Sequence, residues 1–148
     1  MEGNVFITGE TQGALDGQSF AGGDDIFVTK YDGAGMKLWT RQLGTAEGDQ
    51  AGGVATDVEG NVFITGYTYG ALDGQTNTGG SDIFVTKYDG AGMKLWTRQL
   101  GTATIDQALG VATDVEGKVF ITGYTNGALD GQSNAGLLDI FVARVCPP

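Results

Sequence analysis

The apolar residues of this chain fall in short runs that are rich in β-branched and aromatic side chains, and segments containing Gly and Asp separate these runs. Such runs predict β-strands, and the segments between them predict turns. In residues 26–45, the runs IFVTKY and KLWTRQL flank the turn sequence DGAGM. This segment predicts a β-hairpin, and it recurs without a change at residues 83–102.

Both faces of these predicted strands are apolar. In IFVTKY, Ile26 and Val28 point to one side of the strand, whereas Phe27 and Tyr31 point to the other. A sheet with one face in water would alternate apolar with polar residues. We therefore expect each sheet to be packed between two neighbouring sheets, as the blades of a β-propeller are.

A repeat of 57 residues organises the chain, since equivalent glycines stand at Gly3, Gly60 and Gly117. Each whole repeat predicts four strands, with the sequences NVFITG, IFVTKY, KLWTRQL and GVATD. The last of these joins the first strand of the next repeat through the turn sequence DVEG, in which Asp and Gly suit a type I turn. The single predicted domain, residues 1–148, thus comprises two whole repeats and a partial third, at residues 3–59, 60–116 and 117–148.

The strands suit different places in a blade. The small residues of GVATD suit the innermost strand beside the crowded axis, and the long polar side chains of KLWTRQL suit the outer rim. In the order inner, second, third and outer, the chain supplies ten strands in groups of three, four and three. The first blade then lacks an inner strand, and the last blade lacks an outer strand.

The predicted fold class is all-β: β-propeller blades of four antiparallel strands that form a partial propeller. The apolar faces of both terminal blades would lie open to water over a larger area than a monomer tolerates. We therefore expect identical chains to meet end to end, most simply as a homodimer that closes a ring of about five or six blades. The alternative is a three-fold monomer such as a β-trefoil or a β-prism.

The segments GVATDVEGNVFITGYT and DIFVTKYDGAGMKLWTRQLG resemble the SBBP family of bacterial β-propeller repeats, and the resemblance covers nearly the whole chain. It implies one propeller blade per repeat and no established common activity. It also implies a secreted or bacterial cell-surface protein, although residues 1–3 lack the basic and apolar opening of a signal peptide.

Composition excludes several functions. The chain has 8 basic and 18 acidic residues, and its net charge of −10 would repel nucleic acid and an anionic membrane surface. It has no histidine, which removes the commonest general base and metal ligand. The single Cys146 has no partner for an internal disulfide, and no apolar run is long enough to span a membrane.

No catalytic, metal or cofactor signature stands out. Each GALDGQ or YDGAG segment offers one carboxylate, whereas a calcium loop needs several oxygen ligands at alternating spacing. Asp24 and Asp25 would face opposite sides of a strand and so could not form a glycosidase pair. We therefore expect a non-enzymatic, self-assembling scaffold or interaction module without a cofactor. The alternatives are a lectin-like, glycan-binding propeller and, with weaker support, a glycoside hydrolase.

The two whole repeats differ at nine positions. We place six of them at or in the loop between the second and third strands, and three in or beside the crossover to the next blade. These two connections emerge at the same end of a propeller. The differences between the repeats therefore map to one face, as they would if that face formed a binding surface. A sugar site would stack tyrosine rings on the ligand and hydrogen-bond its hydroxyls through Asn and Asp side chains. Its candidates are Tyr67, Tyr69, Asp73, Asn77, Tyr124, Asn126, Asp130 and Asn134. Ordinary divergence of the loops is the alternative interpretation.

Four apolar residues replace Gly or Asp in the later repeats. They either fill the seam between blades or line the contact between chains. These residues are Ile105, Leu109, Leu137 and Leu138.

Overall fold

The structure is a computed structural model that describes residues 3–147. The described residues form ten strands and two short 3₁₀ turns, at Leu72–Gly74 and Leu129–Gly131. None of these elements is a helix long and apolar enough to cross a membrane. The strands are β1 (Val5–Thr11), β2 (Asp25–Tyr31), β3 (Lys37–Leu43), β4 (Asp49–Thr56), β5 (Val62–Thr68), β6 (Asp82–Tyr88), β7 (Lys94–Leu100), β8 (Asp106–Thr113), β9 (Val119–Thr125) and β10 (Asp139–Val145).

The strands form three antiparallel sheets in the orders β1-β2-β3, β4-β5-β6-β7 and β8-β9-β10, which we call the first, second and third blades. The predicted grouping into three, four and three strands is confirmed. The all-β, propeller-blade prediction is confirmed with it.

Aspartate and glycine close both kinds of hairpin by the same hydrogen bonds. In the β2–β3 turn, Asp32 Oδ1 accepts the amides of Ala34 and Met36, at 2.9 and 2.8 Å. Gly35 has a φ of +82°, a left-handed conformation that suits Gly. In the β4–β5 turn, Asp57 and Gly60 take the same roles. These carboxylates shape turns, as the sequence suggested.

The blades pack face to face through the apolar side chains of both strand faces. Ile26 and Val28 of the first blade form one buried cluster with Val62, Ile64 and Phe84 of the second blade. The opposite face of the second blade, with Ile83 and Val85, forms another cluster with the third blade. The prediction that each sheet needs a neighbour on both sides therefore holds for the second blade.

The inner strand is longer than predicted. It begins at Asp49, whereas the strand that the sequence predicts begins at Gly53. The strand is longer because a bulge between Ala51 and Gly53 lets the pairing with β5 continue past Gly52 and Gly53. This strand makes the contact between blades: β4 packs against β1 and β2, and β8 packs against β4, β5 and β6. The inner strand thus joins its own blade to the preceding one.

A second contact joins successive blades near the rim. The β6–β7 turn of the second blade presents its carbonyls to the first blade, where the Lys30 Nζ donates to Gly90 O at 2.9 Å. Trp39 Nε1 donates to the same oxygen at 3.3 Å, and Arg41 Nε donates to Gly92 O at 2.6 Å. We call Lys30, Trp39 and Arg41 the turn socket of the first blade.

Gly92→Ala tests this contact, and Gly35→Ala is its matched control. Both glycines have a φ of +82°, but an added Cβ meets Trp39 and Arg41 at 2.9 and 3.0 Å only at Gly92. We expect Gly35→Ala to lower the free energy of unfolding by about 1 kcal/mol through backbone strain alone. Gly92→Ala should cost roughly 1–3 kcal/mol more through overpacking. Urea denaturation measures the free energy of unfolding of both variants. Equal losses of that free energy would show that the socket adds nothing to stability.

Candidate binding surfaces

The loop between the second and third strands has the same shape in all three blades. It contains an Asp in the left-handed region, with φ of 51° at Asp16, 51° at Asp73 and 48° at Asp130. In the second blade the amide of Gln75 donates to Leu72 O at 2.9 Å, and in the third blade Gln132 donates to Leu129 O at 3.0 Å. The loop therefore keeps its shape whether or not an outer strand is beside it.

The loop aspartates face the outer strand. Asp16 accepts hydrogen bonds from Lys37 Nζ at 2.5 Å and from Thr40 Oγ1 at 2.6 Å. Asp73 accepts the equivalent bonds from Lys94 and Thr97 of β7. The Asp73 carboxylate is therefore bound by side chains of the outer strand.

The tyrosines lie toward the inner strand. The rings of Tyr67 and Tyr69 meet edge to face with centroids 5.9 Å apart. The Tyr67 hydroxyl donates to Gln50 Oε1, and the Tyr124 hydroxyl donates to Gln107 Oε1. Burial raises the pKa of Tyr67. Two of the three candidate tyrosine hydroxyls thus bind side chains of this chain.

The candidate asparagines also make bonds within the chain. Asn77 Nδ2 donates to Tyr69 O at 2.5 Å, and Asn77 Oδ1 accepts the Gly79 amide at 3.1 Å. Asn134 Oδ1 accepts the Gly136 amide at 2.9 Å. The backbone amide of Asn126 donates to Ile105 O at 2.8 Å, and Asn126 is exposed. A glycan site at these residues stays a prediction.

Two of the nine variable positions lie inside strands and not in connections. Tyr67, the equivalent of Glu10 in the first repeat, belongs to β5. Leu109, the equivalent of Gly52 in the first repeat, belongs to β8. Tyr67 pairs with Gln50 of β4 and with Ile83 of β6, and Leu109 lies at the bulge of β8 between Ala108 and Gly110. The variable positions are therefore less confined to loops than the sequence suggested.

The four apolar replacements divide between two places. Ile105 pairs with Ser81 and Leu109 lies in the inner strand β8, so both are at the seam between the second and third blades. Leu137 and Leu138 precede β10 and are exposed. Their equivalents in the second blade, Gly80 and Ser81, contact the crossover of the following blade. Leu137 and Leu138 thus lie on the open side of the third blade.

The open faces are clearest when equivalent residues are compared. Ile83 and Val85 of the second blade are fully buried, whereas the equivalent Ile140 and Val142 of the third blade are 91% and 78% exposed. On the opposite face of the array, Val62 and Ile64 of the second blade are fully buried. Their equivalents in the first blade, Val5 and Ile7, are 52% and 42% exposed. The same side chains are covered in the middle blade and uncovered at both ends.

Sequence reasoning missed a set of buried aspartates at the seams. Asp25, Asp49, Asp82 and Asp106 are fully buried, and they open the third and inner strands of successive blades. Asp25 Oδ2 accepts bonds from the Ala21 amide at 2.8 Å and from Gln42 Nε2 at 2.9 Å. The available signal was an Asp at the first position of two strands in each repeat. In the described residues, no group of three or more acidic or Cys side chains is placed to hold a metal ion.

Asp49 makes stability depend on pH. Burial raises the pKa of its carboxyl, and the hydrogen bonds from the Thr45 amide and hydroxyl offset this only in part. A raised folded-state pKa gives stability that is complete below the usual Asp value and is lost as pH rises through the folded-state value. In urea unfolding from about pH 3 to about pH 7, the wild type should therefore lose stability relative to Asp49→Asn as pH rises. A difference that stays constant, or that moves the other way, contradicts this assignment.

Antiparallel blades of three and four strands that follow a sequence repeat and pack face to face define a protein of the β-propeller repeat class. The family model of the SBBP beta-propeller repeat matches residues 38–72 and 95–130. Two segments of this chain therefore match the beta-propeller repeat of the SBBP family, in accord with the resemblance. Each matched segment begins in the outer strand of one blade and ends in the loop of the next, so it spans a seam.

Two relatives extend the comparison. The chain is 29% identical over 145 residues to the regulatory protein FlaEY of Caulobacter vibrioides, a match that covers 88% of this chain and 15% of the relative. It is 31% identical over 151 residues to the uncharacterized WD repeat-containing protein L264 of Acanthamoeba polyphaga mimivirus, a match that covers 83% of this chain and 11% of the relative. The chain thus spans a small part of the length of either relative.

Proposed function

We propose that this chain is a non-enzymatic interaction module whose open blade faces bind a second copy of the chain. The observation that carries the proposal is the exposure of Ile140 and Val142, whose equivalents Ile83 and Val85 are fully buried under a following blade. Exposed apolar side chains of this kind mark interaction surfaces, because their burial removes apolar area from water. The family and the words "regulatory" and "WD repeat-containing" in its relatives' names accord with a role in binding.

The two open faces match faces that bind each other within the chain. Ile140 and Val142 repeat the side chains with which the second blade contacts the third. At the other end, Val5 and Ile7 repeat the side chains with which the second blade contacts the first. Association is therefore expected to be head to tail, and such contacts close into rings when the rotation allows it.

The contact between copies should be weaker than the seams within one chain. Each internal seam includes the inner strand of the following blade, β4 or β8. The first blade has no inner strand among residues 3–147, so a second copy covers the third blade with fewer side chains. We expect association to be reversible and to depend on concentration.

Molecular mass by light scattering, measured over a dilution series, tests the proposal. The mass should rise from the 15.3 kDa of one chain toward a multiple of it as concentration increases. Val142→Asp should keep the chain at 15.3 kDa, because it places a charge in the proposed contact. Val115→Asp is the matched control, since Val115 is equally exposed but lies in the β8–β9 turn.

Two outcomes would contradict the proposal. One is a cooperatively folded wild-type chain that stays at the mass of one copy at every concentration. The other is a pair of variants, Val142→Asp and Val115→Asp, that reduce association equally, because the effect would then come from charge and not from the open face.

A further inference from the structure

The outer edge of the third blade is a groove. β2 pairs with the outer strand β3 and β6 pairs with the outer strand β7, but no strand among residues 3–147 pairs with the outer edge of β10. A cavity of about 470 Å³ follows this edge, between β10 and the loop that contains Asp130. Its lining includes Gly127, Leu129, Asp130 and Asp139.

The first two blades show what fills the equivalent groove. In the first blade, Lys37 and Thr40 of the outer strand bind the loop carboxylate of Asp16 at 2.5 and 2.6 Å. In the second blade, Lys94 and Thr97 bind Asp73 in the same way. One loop aspartate therefore binds both a Lys of the outer strand and the Thr three residues after it.

The glutamine two residues after the threonine forms hydrogen bonds with three further groups of the blade. In the second blade, Gln99 Oε1 accepts the Leu72 amide at 3.0 Å. Its Nε2 donates to Gly70 O at 2.9 Å and to Asp82 Oδ2 at 3.3 Å. Gln42 makes the same three contacts in the first blade.

The third blade presents the same receptor groups with no outer strand in place. Asp130 keeps the left-handed φ of 48° and the Leu129–Gly131 turn, and the described residues give its carboxylate no hydrogen-bond or ion-pair partner. The equivalents of the glutamine partners are the Leu129 amide, Gly127 O and Asp139 Oδ2, and these three residues line the groove. One contact is missing: the Thr86–Thr97 hydroxyl bond of 3.0 Å has no counterpart, because Ala143 replaces Thr86.

A turn socket adjoins this groove. Lys87, Trp96 and Arg98 of the second blade are the equivalents of Lys30, Trp39 and Arg41, which hold the carbonyls of residues 90–92. In this second socket, Arg98 Nη2 donates to Pro147 O at 3.4 Å, and a cavity of about 250 Å³ lies between Lys87, Trp96 and the chain around Pro147. The socket lies where a turn leading into a fourth strand would reach it.

We propose that the third blade binds an extended segment of a partner chain that has the outer-strand sequence of these repeats, Asp-Gly-x-Gly-x-Lys-x-x-Thr-x-Gln. The Lys and Thr bind Asp130, and the Gln binds Gly127, Leu129 and Asp139. The glycine turn enters the socket of Lys87, Trp96 and Arg98, while the backbone pairs with β10 in the antiparallel register of β6 and β7. This inference goes beyond the proposed function, because the open faces take a second copy, whereas the groove takes an unpaired outer strand, and β3 and β7 of a second copy are already paired with β2 and β6.

Binding of a labelled synthetic peptide, DGAGMKLWTRQLG, to the full chain tests the proposal by fluorescence polarisation. Saturable binding of one peptide per chain is expected. Asp130→Asn should weaken it about tenfold, because the variant loses the charge that pairs with lysine. Asp16→Asn is the matched control and should leave affinity unchanged, since Asp16 already holds Lys37 and Thr40.

A peptide in which Glu replaces the Lys and Ala replaces the Thr and Gln should bind at least tenfold more weakly. Equal binding of both peptides, or no saturable binding of the first, would overturn the proposal. Working at a dilution where light scattering shows one chain separates the two hypotheses. Peptide binding by the monomer supports the strand site whether or not copies associate at higher concentration. A chain that associates at higher concentration but fails to bind the peptide overturns the strand site and leaves the proposed function standing.

Discussion

The structure depends on one constraint: a blade that is apolar on both faces must be covered on both faces. Burial of Ile83 and Val85 on one side, and of Val62 and Ile64 on the other, shows the second blade meeting this constraint within the chain. The inner strand provides this cover, because β4 and β8 pair within their own blade and pack against the preceding one. Stacking of repeat units with contacts only between neighbours is the general behaviour of such arrays.

Repetition makes the chain its own reference. Every group at the open ends has an equivalent in a covered blade, so the partner of an exposed residue can be read from the partner of its equivalent. Asp130 is informative for this reason, since Asp16 and Asp73 show which side chains a carboxylate in this loop binds. The matched family segments lead to the same view, because each spans a seam and thus includes the contact between blades.

Strand order, strand grouping and the two apolar faces could be predicted from the sequence, because they follow from local periodicity and from the repeat. The start of β4 could not, since residues 49–52 look like a loop and only pairing with β5 through a bulge makes them part of a strand. The sugar site was proposed from residue types alone. Tyr67 bonds Gln50 because that longer inner strand brings the glutamine to it, and Asp73 is held by Lys94, which lies 21 residues away in the chain. The buried Asp49 was missed because its burial depends on the seam, which no local pattern encodes.

Amide hydrogen exchange of identical strands tests the central constraint most directly. β2 and β6 share the sequence DIFVTKY and each pairs with a strand on both edges, but β6 has a blade on both sides and β2 has one. With exchange resolved by NMR at a dilution where the chain is monomeric, the amides of β6 should exchange more slowly than the equivalent amides of β2. Equal protection of the two strands would contradict the claim that covering both faces stabilises a blade.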